Sequence, residues 1–323
     1  MNIGKVSENV LKRSVLKNIQ LNSKEVNGAA AGADCAISCN LASATGYVAN
    51  ESDTLVAAHA IFRAANNLAA AGYAAKDVML TISLPERFRE VKLKEIMKGA
   101  MMAADTLGIR IIGGHTETVA AIEKPIVSAF ATADTIFDTA KYQTKTCKPG
   151  QAIVMTKWMA ISGSVHVVKE HSSEIAKKLP QFIIDDVLEL EQFYSVIPEA
   201  AVAVNSDVTC MHDCADGGIF AALWQLADRD NVGLTVDLKK IPVRQECIEV
   251  CEIFDINPYK LRSDGSMLIV TSNPEMLIEN LAKKNIFATV IGYIEDGIDR
   301  VILSNSERRF LEEPRQDEFH NIR

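Results

Sequence analysis

A polar stretch near the middle of the chain, KYQTKTCKPGQ (141–151), places the strongest constraint on the fold. It carries Pro149-Gly150, a pair typical of turns and linkers. On each side of it, apolar strand patterns alternate with amphipathic helix patterns. A chain of 323 residues is long enough for two domains of roughly 100–200 residues each. We therefore predict two α/β or α+β domains of comparable size, residues 1–140 and 141–323.

The overall charge and hydropathy exclude two classes of protein. With a net charge of −8, the chain lacks the basic face of a nucleic-acid-binding protein, although a local basic pocket for a phosphorylated ligand is compatible with it. No run approaches the roughly 20 apolar residues that a membrane span requires, and the first residues lack the apolar core of a signal peptide. We therefore expect a cytoplasmic protein that contacts neither nucleic acid nor membrane.

Seven cysteines, an odd number, fit reduced thiols better than a disulfide framework. Six of them form three C-x3-C pairs, and residues four apart share a face of a helix or a strand. The spacing suits small buried side chains, and it suits a metal site less well because zinc knuckles usually have C-x2-C spacing. Both interpretations stay open for the pairs Cys35/Cys39, Cys210/Cys214 and Cys247/Cys251.

Polar side chains follow two glycines in the stretch IRIIGGHTETV. A buried strand that ends in a turn at Gly113 and Gly114 would let the backbone approach a ligand closely, because glycine has no side chain. His115, Thr116 and Glu117 then offer an imidazole, a hydroxyl and a carboxylate. Such a group could bind a phosphate and its metal or transfer a proton, or it could be only the polar tip of a turn.

A second candidate site lies in CMHDCADGGIFAALWQLA. The pattern predicts a strand that delivers His212 and Asp213 to a turn, followed by a helix that begins at Gly217 and Gly218. The free N–H groups at a helix start favour an anion, and glycines admit it closely. Asp216 supplies a carboxylate at the same position, so an ordinary capped helix start is an equally good interpretation.

Two asparagines stand side by side in the alanine-rich stretch AANNLAAAG (64–72). Asparagine is a poor helix former because its amide competes for backbone hydrogen bonds unless another group binds it. Asn66 and Asn67 therefore raise the question of what their amides contact.

The order of these motifs resembles that of the AIR synthase (PurM) superfamily, and most of all that of its AIR synthase-related, HypE-like members. The resemblance runs nearly from end to end and is more specific than any one motif. The stretches that carry it are IGKVSENVLKRSVLK, GADCA, NNLAAAG, IIGGHTE, KPGQAIVMTKW, MHDCADGGIFAALWQLA, IPVRQECIEVCEIFDINPYKL and SDGSMLIV.

The resemblance implies a two-domain PurM-like fold, with an N-terminal ATP-binding α/β domain followed by a C-terminal α+β domain. It also implies a homodimer in which two N-terminal sheets close a barrel and ATP lies in a long cleft. Active members transfer or cleave ATP phosphate, and Mg²⁺ held by carboxylates neutralises the phosphate charge. The implied cofactors are therefore ATP and Mg²⁺, and the implied partners are a second copy of the chain, a nucleotide and a maturation partner protein.

The resemblance also implies roles for individual residues. Asp34 matches a metal-binding aspartate in a G-x-D-x-A loop, and Asn67 stands where the family's Asn-Asp pair places another. The implied metal ligands are Asp34, Asn67 and Glu117, the implied catalytic residues are His115 and Glu117, and the implied nucleotide-binding residues are Asn66, Asn67, Gly113, Gly114, Thr116, Gly217 and Gly218.

The chain departs from the family pattern at several acidic positions. Ala33 replaces the acidic residue that commonly precedes the loop aspartate, and no acid occurs between Asp34 and Glu51. Asn67 replaces an aspartate, and an amide oxygen can bind Mg²⁺ but brings no charge. The chain ends in HNIR, whereas HypE ends in a cysteine that carries the group being dehydrated.

Two functional hypotheses follow. The first is an ATP-dependent enzyme of the HypE-like branch that activates a small-molecule or protein-borne substrate, with Asp34, Asp53 and Glu117 around the metal. The second is a non-catalytic relative that acts as a dimeric maturation or regulatory partner, because the missing carboxylates remove most of the charge that holds Mg²⁺-ATP. A metal-binding protein built on the C-x3-C pairs is a third hypothesis with less support.

Overall fold

Each half of the chain builds its own β-sheet, as the computed structural model shows. The structure describes residues 6–19, 26–27, 32–38, 41–49, 51, 55–134, 142, 144–305, 307–313 and 316–322. Cys39 and Asp53, which the sequence singled out, lie outside the described residues.

The described part of the N-terminal half contains one mixed sheet in the order β1-β2-β3-β6-β4-β5. β4 and β5 pair in parallel and are connected through a helix, whereas the other neighbouring strands are antiparallel. The elements are α1 (Glu8–Ser14), β1 (Val26–Asn27), β2 (Ala36–Ser38), β3 (Leu41–Ala49), α2 (Val56–Ala70), β4 (Asp77–Leu84), α3 (Glu90–Leu107), β5 (Arg110–Thr118) and β6 (Ile126–Ala133).

The two faces of this sheet differ in what covers them. Side chains at alternate positions, such as Leu80 and Val127, are buried in a core with α2 and α3. The other face exposes Tyr47, Met79 and Phe130, which are 55%, 45% and 44% accessible. Phe130 lies directly opposite Met79 on the neighbouring strand. We call this surface, formed by Tyr47, Met79 and Phe130, the open sheet face.

Helix α2 lies unusually close to the sheet because small residues face each other across the contact. A side-chain carbon added at Gly46 of β3 would lie 2.1 Å from the Ala60 carbonyl oxygen. Ala57, Ala60 and Ala64 are fully buried in the same layer. This close packing explains the alanine-rich composition of α2 better than helix propensity alone.

The C-terminal half contains a second sheet in the order β13-β12-β9-β11-β7-β10-β8 within the described residues. The strands are antiparallel except for the β9–β12 pair. The elements are β7 (Ala152–Thr156), α4 (Ile161–Glu170), α5 (Ser172–Ile175), α6 (Gln181–Leu188), α7 (Ile197–Ala203), β8 (Val208–Asp213), α8 (Gly218–Asp230), β9 (Gly233–Asp237), α9 (Gln245–Ile253), β10 (Met267–Thr271), α10 (Pro274–Ala282), β11 (Ala288–Glu295), β12 (Arg300–Ser304) and β13 (Glu307–Phe310).

This arrangement confirms the predicted α/β and α+β architecture with two sheets. The expected turn at Gly113 and Gly114 is wrong, however, because β5 continues through both glycines to Thr118. A side-chain carbon at Gly114 would lie 1.9 Å from the Leu80 carbonyl oxygen of β4. The glycine is therefore needed for close strand pairing, and it does not form a turn.

None of the described helices combines the length and the apolar character that crossing a membrane would require.

Candidate functional site

Arg63 of α2 joins the two halves of the chain through buried ion pairs. Its Nε and Nη2 donate to Asp264 at 2.7 and 3.0 Å, and its Nη2 and Nη1 donate to Asp216 at 2.8 and 3.2 Å. Nη1 also donates to the Tyr47 carbonyl at 2.9 Å. All five N–H donors of a guanidinium are thereby used. We call Arg63, Asp216 and Asp264 the arginine latch.

A second buried group lies beside the arginine latch. Glu51 accepts a hydrogen bond from Arg262 Nη1 at 2.5 Å and is paired with Nδ1 of His59. Burial alone would raise the pKa of Glu51, but His59 and Arg262 hold it below its usual range. Glu51 is therefore an ionised carboxylate that draws one side chain from each half of the chain towards it.

His166 of α4 is buried between this group and the C-terminal segment. Its ring centre lies 3.9 Å from that of Phe319, and the Arg262 guanidinium lies 5.4 Å from the Phe319 ring. Its Nε2 is buried without a hydrogen-bond partner among the described residues. Burial lowers the pKa of His166 to about 3, so the imidazole is neutral in the folded protein.

The buried His166 predicts a specific loss of stability in acid. Below pH 6.5 an unfolded histidine binds a proton, whereas the folded one does not until about pH 3. Stability should therefore fall as the pH drops from 6.5, and His166 should account for about 2 kcal/mol of the loss at pH 5. Urea unfolding of His166→Leu should show a smaller drop between pH 7 and pH 5 than the unaltered protein. His115→Leu, at an exposed position, serves as control, and an equal drop in all three proteins would refute the assignment.

Asp34 lies in a cluster with two residues from the end of β8. Its Oδ1 is 2.8 Å from His212 Nδ1, without the alignment of a hydrogen bond. Donor atoms of Asp34, His212 and Asp213 all lie within 4.8 Å of one another. Burial alone would lower the pKa of His212, but the two carboxylates raise it to about 8. We call these three residues the Asp34 cluster.

The adjacent asparagines of α2 make different contacts. The Asn66 amide donates to the Tyr194 carbonyl at 2.8 Å and accepts from Val196 N at 3.0 Å, so it ties α2 to the C-terminal half. Asn67 is partly exposed and donates to the Thr45 carbonyl of β3 at 2.9 Å. Extending the β2–β3 register by two residues from the pair of Ala36 and Ser43 would put Asp34 opposite Thr45. On that register, Asn67 and Asp34 both lie near Thr45.

The other residues selected from the sequence motif, His115, Thr116 and Glu117, lie on the edge strand β5. All three are exposed, and His115 Nε2 is 3.8 Å from Glu117 Oε2. Because β2 and β5 are four strand spacings of about 4.8 Å apart, Asp34 and Glu117 are separated by roughly 19 Å. Within one chain, the structure therefore does not bring these two carboxylates to a common ion.

The glycine pair at the start of α8 is tightly packed. A side-chain carbon at Gly218 would lie 2.5 Å from the Leu261 carbonyl oxygen, and φ is +64° there. Gly217 N donates to Asp317 Oδ2 at 2.7 Å. The N-terminus of the helix, where the sequence indicated an anion, thus binds a carboxylate of the chain's own C-terminal segment.

A polar cleft of about 510 Å³ lies at the carboxyl end of β4. Arg87, Arg89 and Lys124 line it, as does Glu51. In sheets with parallel strands, ligands commonly bind outside the carboxyl ends of the strands. Lys92 lines it as well, but so do Glu86, Glu123 and Glu170, so its four cationic and four acidic side chains balance and it is not a basic pocket.

The two C-x3-C pairs that the structure describes completely do not act as metal-binding units. Cys247 and Cys251 are buried in an apolar core, and Cys214 is buried in another. Cys210 instead lies 3.2 Å from Cys147, sulfur to sulfur, with Asp230 nearby. Among the described residues, no C-x3-C pair supplies two ligands to one cluster, and the packing favours the interpretation as buried side chains.

Sequence reasoning missed the arginine latch and the role of Glu51. One signal was available. Apart from His59, Arg63 is the only ionisable residue in the sequence between Val56 and Ala70. Its partners are 153 and 201 residues away, and nothing local points to them. The turn RSDGS, which carries Arg262 and Asp264, resembled many turns without function.

The two sheets and their buried junction define a two-domain PurM-like α/β and α+β protein. The family descriptions "AIR synthase related protein, N-terminal domain" and "AIR synthase related protein, C-terminal domain" match residues 25–134 and 148–303. The chain belongs to this AIR synthase-related family.

Several of the proteins that this chain resembles have names from hydrogenase maturation. A putative hydrogenase expression/formation protein of Methanocaldococcus jannaschii is 25% identical over 271 residues, which cover 80% of this chain and 76% of that protein. The crystal structure of a HypE–HypF complex matches with a TM-score of 0.74 at 16% identity, over 94% of this chain and 99% of that one. A structure of HypE in complex with ATP matches with a TM-score of 0.69 at 15% identity, over 98% and 94%. The chain is thus similar in sequence to a hydrogenase maturation relative and in fold to HypE.

Proposed function

We propose that this protein binds ATP with a divalent cation and uses it to activate a small-molecule or protein-borne substrate, as a HypE-like protein. The observation that carries the proposal is the Asp34 cluster, which gathers two carboxylates and an imidazole at the junction of the two halves. A HypE structure of the same fold is described as a complex with ATP, which supports a nucleotide as the ligand.

The donor atoms of the Asp34 cluster suit a divalent cation. Asp34 and Asp213 provide anionic oxygens, which Mg²⁺ and Mn²⁺ both bind, and His212 provides a nitrogen that suits Mn²⁺ better than Mg²⁺. Asn67, which donates to Thr45 near Asp34, could add a neutral oxygen. A bound cation would neutralise phosphate charge, while Asp34 and Asp213 would hold it against the β2 end of the sheet.

We further propose that the protein is a homodimer that pairs through the open sheet face. Apolar side chains are concentrated there, and α2 and α3, the described helices that pack on this sheet, cover its opposite face. A contiguous apolar patch of this kind marks an interaction surface. In a twofold dimer, β5 residues of one copy, such as Glu117, would lie near the second copy and so could approach its Asp34. Within one chain, Glu117 and Asp34 are too far apart to bind a common ion.

Calorimetric titration tests the proposal directly. ATP should bind in the presence of Mg²⁺ or Mn²⁺ and much more weakly with EDTA. Asp34→Asn should weaken Mn²⁺ binding in the absence of nucleotide by about 10-fold or more, since it removes an anionic ligand. Asp105→Asn, an exposed carboxylate on α3, is the matched control. The absence of ATP binding with either cation would overturn the proposal.

A non-catalytic HypE-like partner protein is the second candidate. Two observations favour it: within this chain His212 forms an ion pair with Asp34, and Asp317 accepts a hydrogen bond from Gly217 N. Phosphate release separates the candidates. Cation-dependent ATP binding with phosphate release supports the enzyme, whereas binding without turnover, or no binding, supports the partner protein.

Asn67→Asp is expected to strengthen Mg²⁺-dependent ATP binding by about 10-fold. A carboxylate at this position adds a negative charge near Thr45, which the extended register places opposite Asp34, and Mg²⁺ prefers carboxylates to amides. Titration of ATP at fixed Mg²⁺, compared with the same titration in EDTA, measures the gain. Asn205→Asp, at an exposed position outside the site, is the control, and an unchanged affinity of Asn67→Asp would place residue 67 outside a working cation site.

A further inference from the structure

Two buried cysteines from distant parts of the chain meet beside the C-terminal sheet. Cys147 Sγ and Cys210 Sγ are 3.2 Å apart, and the two residues are 3% and 0% accessible. Both are free thiols. The sulfurs of a disulfide are about 2.05 Å apart, so an approach of roughly 1 Å would join this pair.

The two cysteines lie in parts of the chain that differ in regularity. Cys210 belongs to β8, whereas Cys147 lies in the segment 144–151, which contains neither helix nor strand. Thr146 and Lys148 on either side of Cys147 are exposed. Irregular surface segments open locally at a lower free-energy cost than the strands of a sheet. A small reagent can therefore reach the two sulfurs while the sheet stays folded.

The charged neighbours of the pair argue against a metal ion at this place. A carboxylate oxygen of Asp230 lies within 4.8 Å of both sulfurs. The two oxygens of Asp230 already accept from Arg229 Nε at 2.9 Å, from Arg229 Nη2 at 3.0 Å and from Cys147 N at 2.8 Å. Arg229 Nη2 is also 4.0 Å from Cys147 Sγ, so a divalent cation would meet a fixed positive charge. Two sulfurs alone do not complete the four-ligand site that zinc prefers.

The same arginine favours oxidation of the pair. A cation beside a thiol stabilises the thiolate, which is the form that reacts with oxidants. A second thiol in contact with the first then converts the sulfenic acid to a disulfide before further oxidation occurs. The pair combines both features, a neighbouring guanidinium and a second sulfur within contact distance.

We propose that Cys147 and Cys210 form a reversible disulfide when the protein meets hydrogen peroxide. One thiolate attacks a peroxide oxygen, hydroxide leaves, and a sulfenic acid forms. The second thiol attacks the oxidised sulfur, and its proton leaves with the hydroxyl group as water, so that two electrons pass from the sulfurs to the peroxide. A small thiol reverses the reaction by thiol–disulfide exchange. The bond attaches the segment 144–151 to β8, the strand that ends with His212 and Asp213 of the Asp34 cluster.

Thiol counting after peroxide treatment tests this proposal on the full-length protein. The reduced chain has seven cysteines, and alkylation in denaturant after brief exposure to hydrogen peroxide should label only five of them. Peptide mass spectrometry should find the peptides that contain Cys147 and Cys210 joined, with the loss of two hydrogen atoms. Dithiothreitol should restore all seven thiols. Cys147→Ser and Cys210→Ser should each give no disulfide-linked peptide under the same treatment.

The matched control is Cys35→Ser. Cys35 is partly exposed, so a non-selective oxidation would involve it, whereas the Cys35→Ser variant should still form the link between Cys147 and Cys210. The peptide map of the unaltered protein tests the proposal even if a serine variant does not fold.

Three results would overturn the assignment. The first is the absence of the linked peptide from the oxidised protein. The second is a loss of thiols that dithiothreitol does not reverse, which indicates sulfinic acid. The third is zinc in the purified protein that protects both thiols until a chelator removes it. None of these results depends on whether ATP or a cation binds at the Asp34 cluster.

Discussion

Arg63→Met is expected to lower the free energy of unfolding by about 3–5 kcal/mol, the usual cost of breaking a buried ion pair from one side. The substitution keeps most of the side-chain volume but leaves Asp216 and Asp264 without the guanidinium that binds both of them. Asp264 is 6% accessible, so water cannot replace the lost bonds fully. Urea unfolding at pH 7 measures the effect.

Two further variants make the Arg63 result interpretable. Arg308→Met removes an arginine that is 63% exposed and 3.9 Å from Asp299, and it should change stability by less than about 0.5 kcal/mol. Adding Asp264→Leu to Arg63→Met should recover part of the loss, because an unpaired buried carboxylate is then removed as well. A loss below 1 kcal/mol for Arg63→Met alone would show that the latch does not hold the two halves together.

Arg63→Lys should be almost as damaging as Arg63→Met. The latch uses all five guanidinium donors in two planar pairs and one carbonyl contact, whereas an ammonium has three donors and no fork. If lysine retained full stability, the attraction of the charges would matter more than the geometry of the hydrogen bonds.

The helices α2, α3 and α8 were predictable because their apolar residues repeat at helical spacing and glycines or caps mark their ends. β3 was missed in part because LASATGYVA is built of small residues. Its burial depends on Gly46 meeting the Ala60 backbone of α2, a contact that no local pattern reveals. β5 was cut short for a related reason, since the requirement for glycine at 114 comes from Leu80 on the neighbouring strand.

The candidate site was predictable only in its local parts. The motifs drew attention to Asp34, His212 and Asp213. Asp34 is 178 or more positions away from the other two, and only the fold brings them together. The sequence raised the question of what the Asn66 amide contacts, and its partners lie in the C-terminal half. Whether it also contacts a nucleotide remains part of the proposal.

Phe130→Asp is expected to raise the Kd for self-association by about 100-fold or more. A twofold interface contains each substitution twice, and an aspartate facing an apolar sheet must lose hydration without gaining a partner. A 100-fold change corresponds to about 2.7 kcal/mol, which two such carboxylates readily exceed. Analytical ultracentrifugation across a concentration series should show the unaltered protein as a dimer at concentrations at which the variant is a monomer.

The matched control for this experiment is Phe182→Asp. Phe182 is 64% exposed on α6. Its replacement by aspartate makes the same chemical change away from the open sheet face and should leave the dimer intact. Phe130 is itself 44% accessible in the single chain, and its replacement should therefore spare the fold, which circular dichroism would verify. A folded Phe130→Asp variant that still dimerises would show that the two copies do not pair through the open sheet face.

ATP binding by the monomeric variant then tells whether the second copy contributes to the nucleotide site, since Asp34 and Glu117 are four strands apart in one sheet.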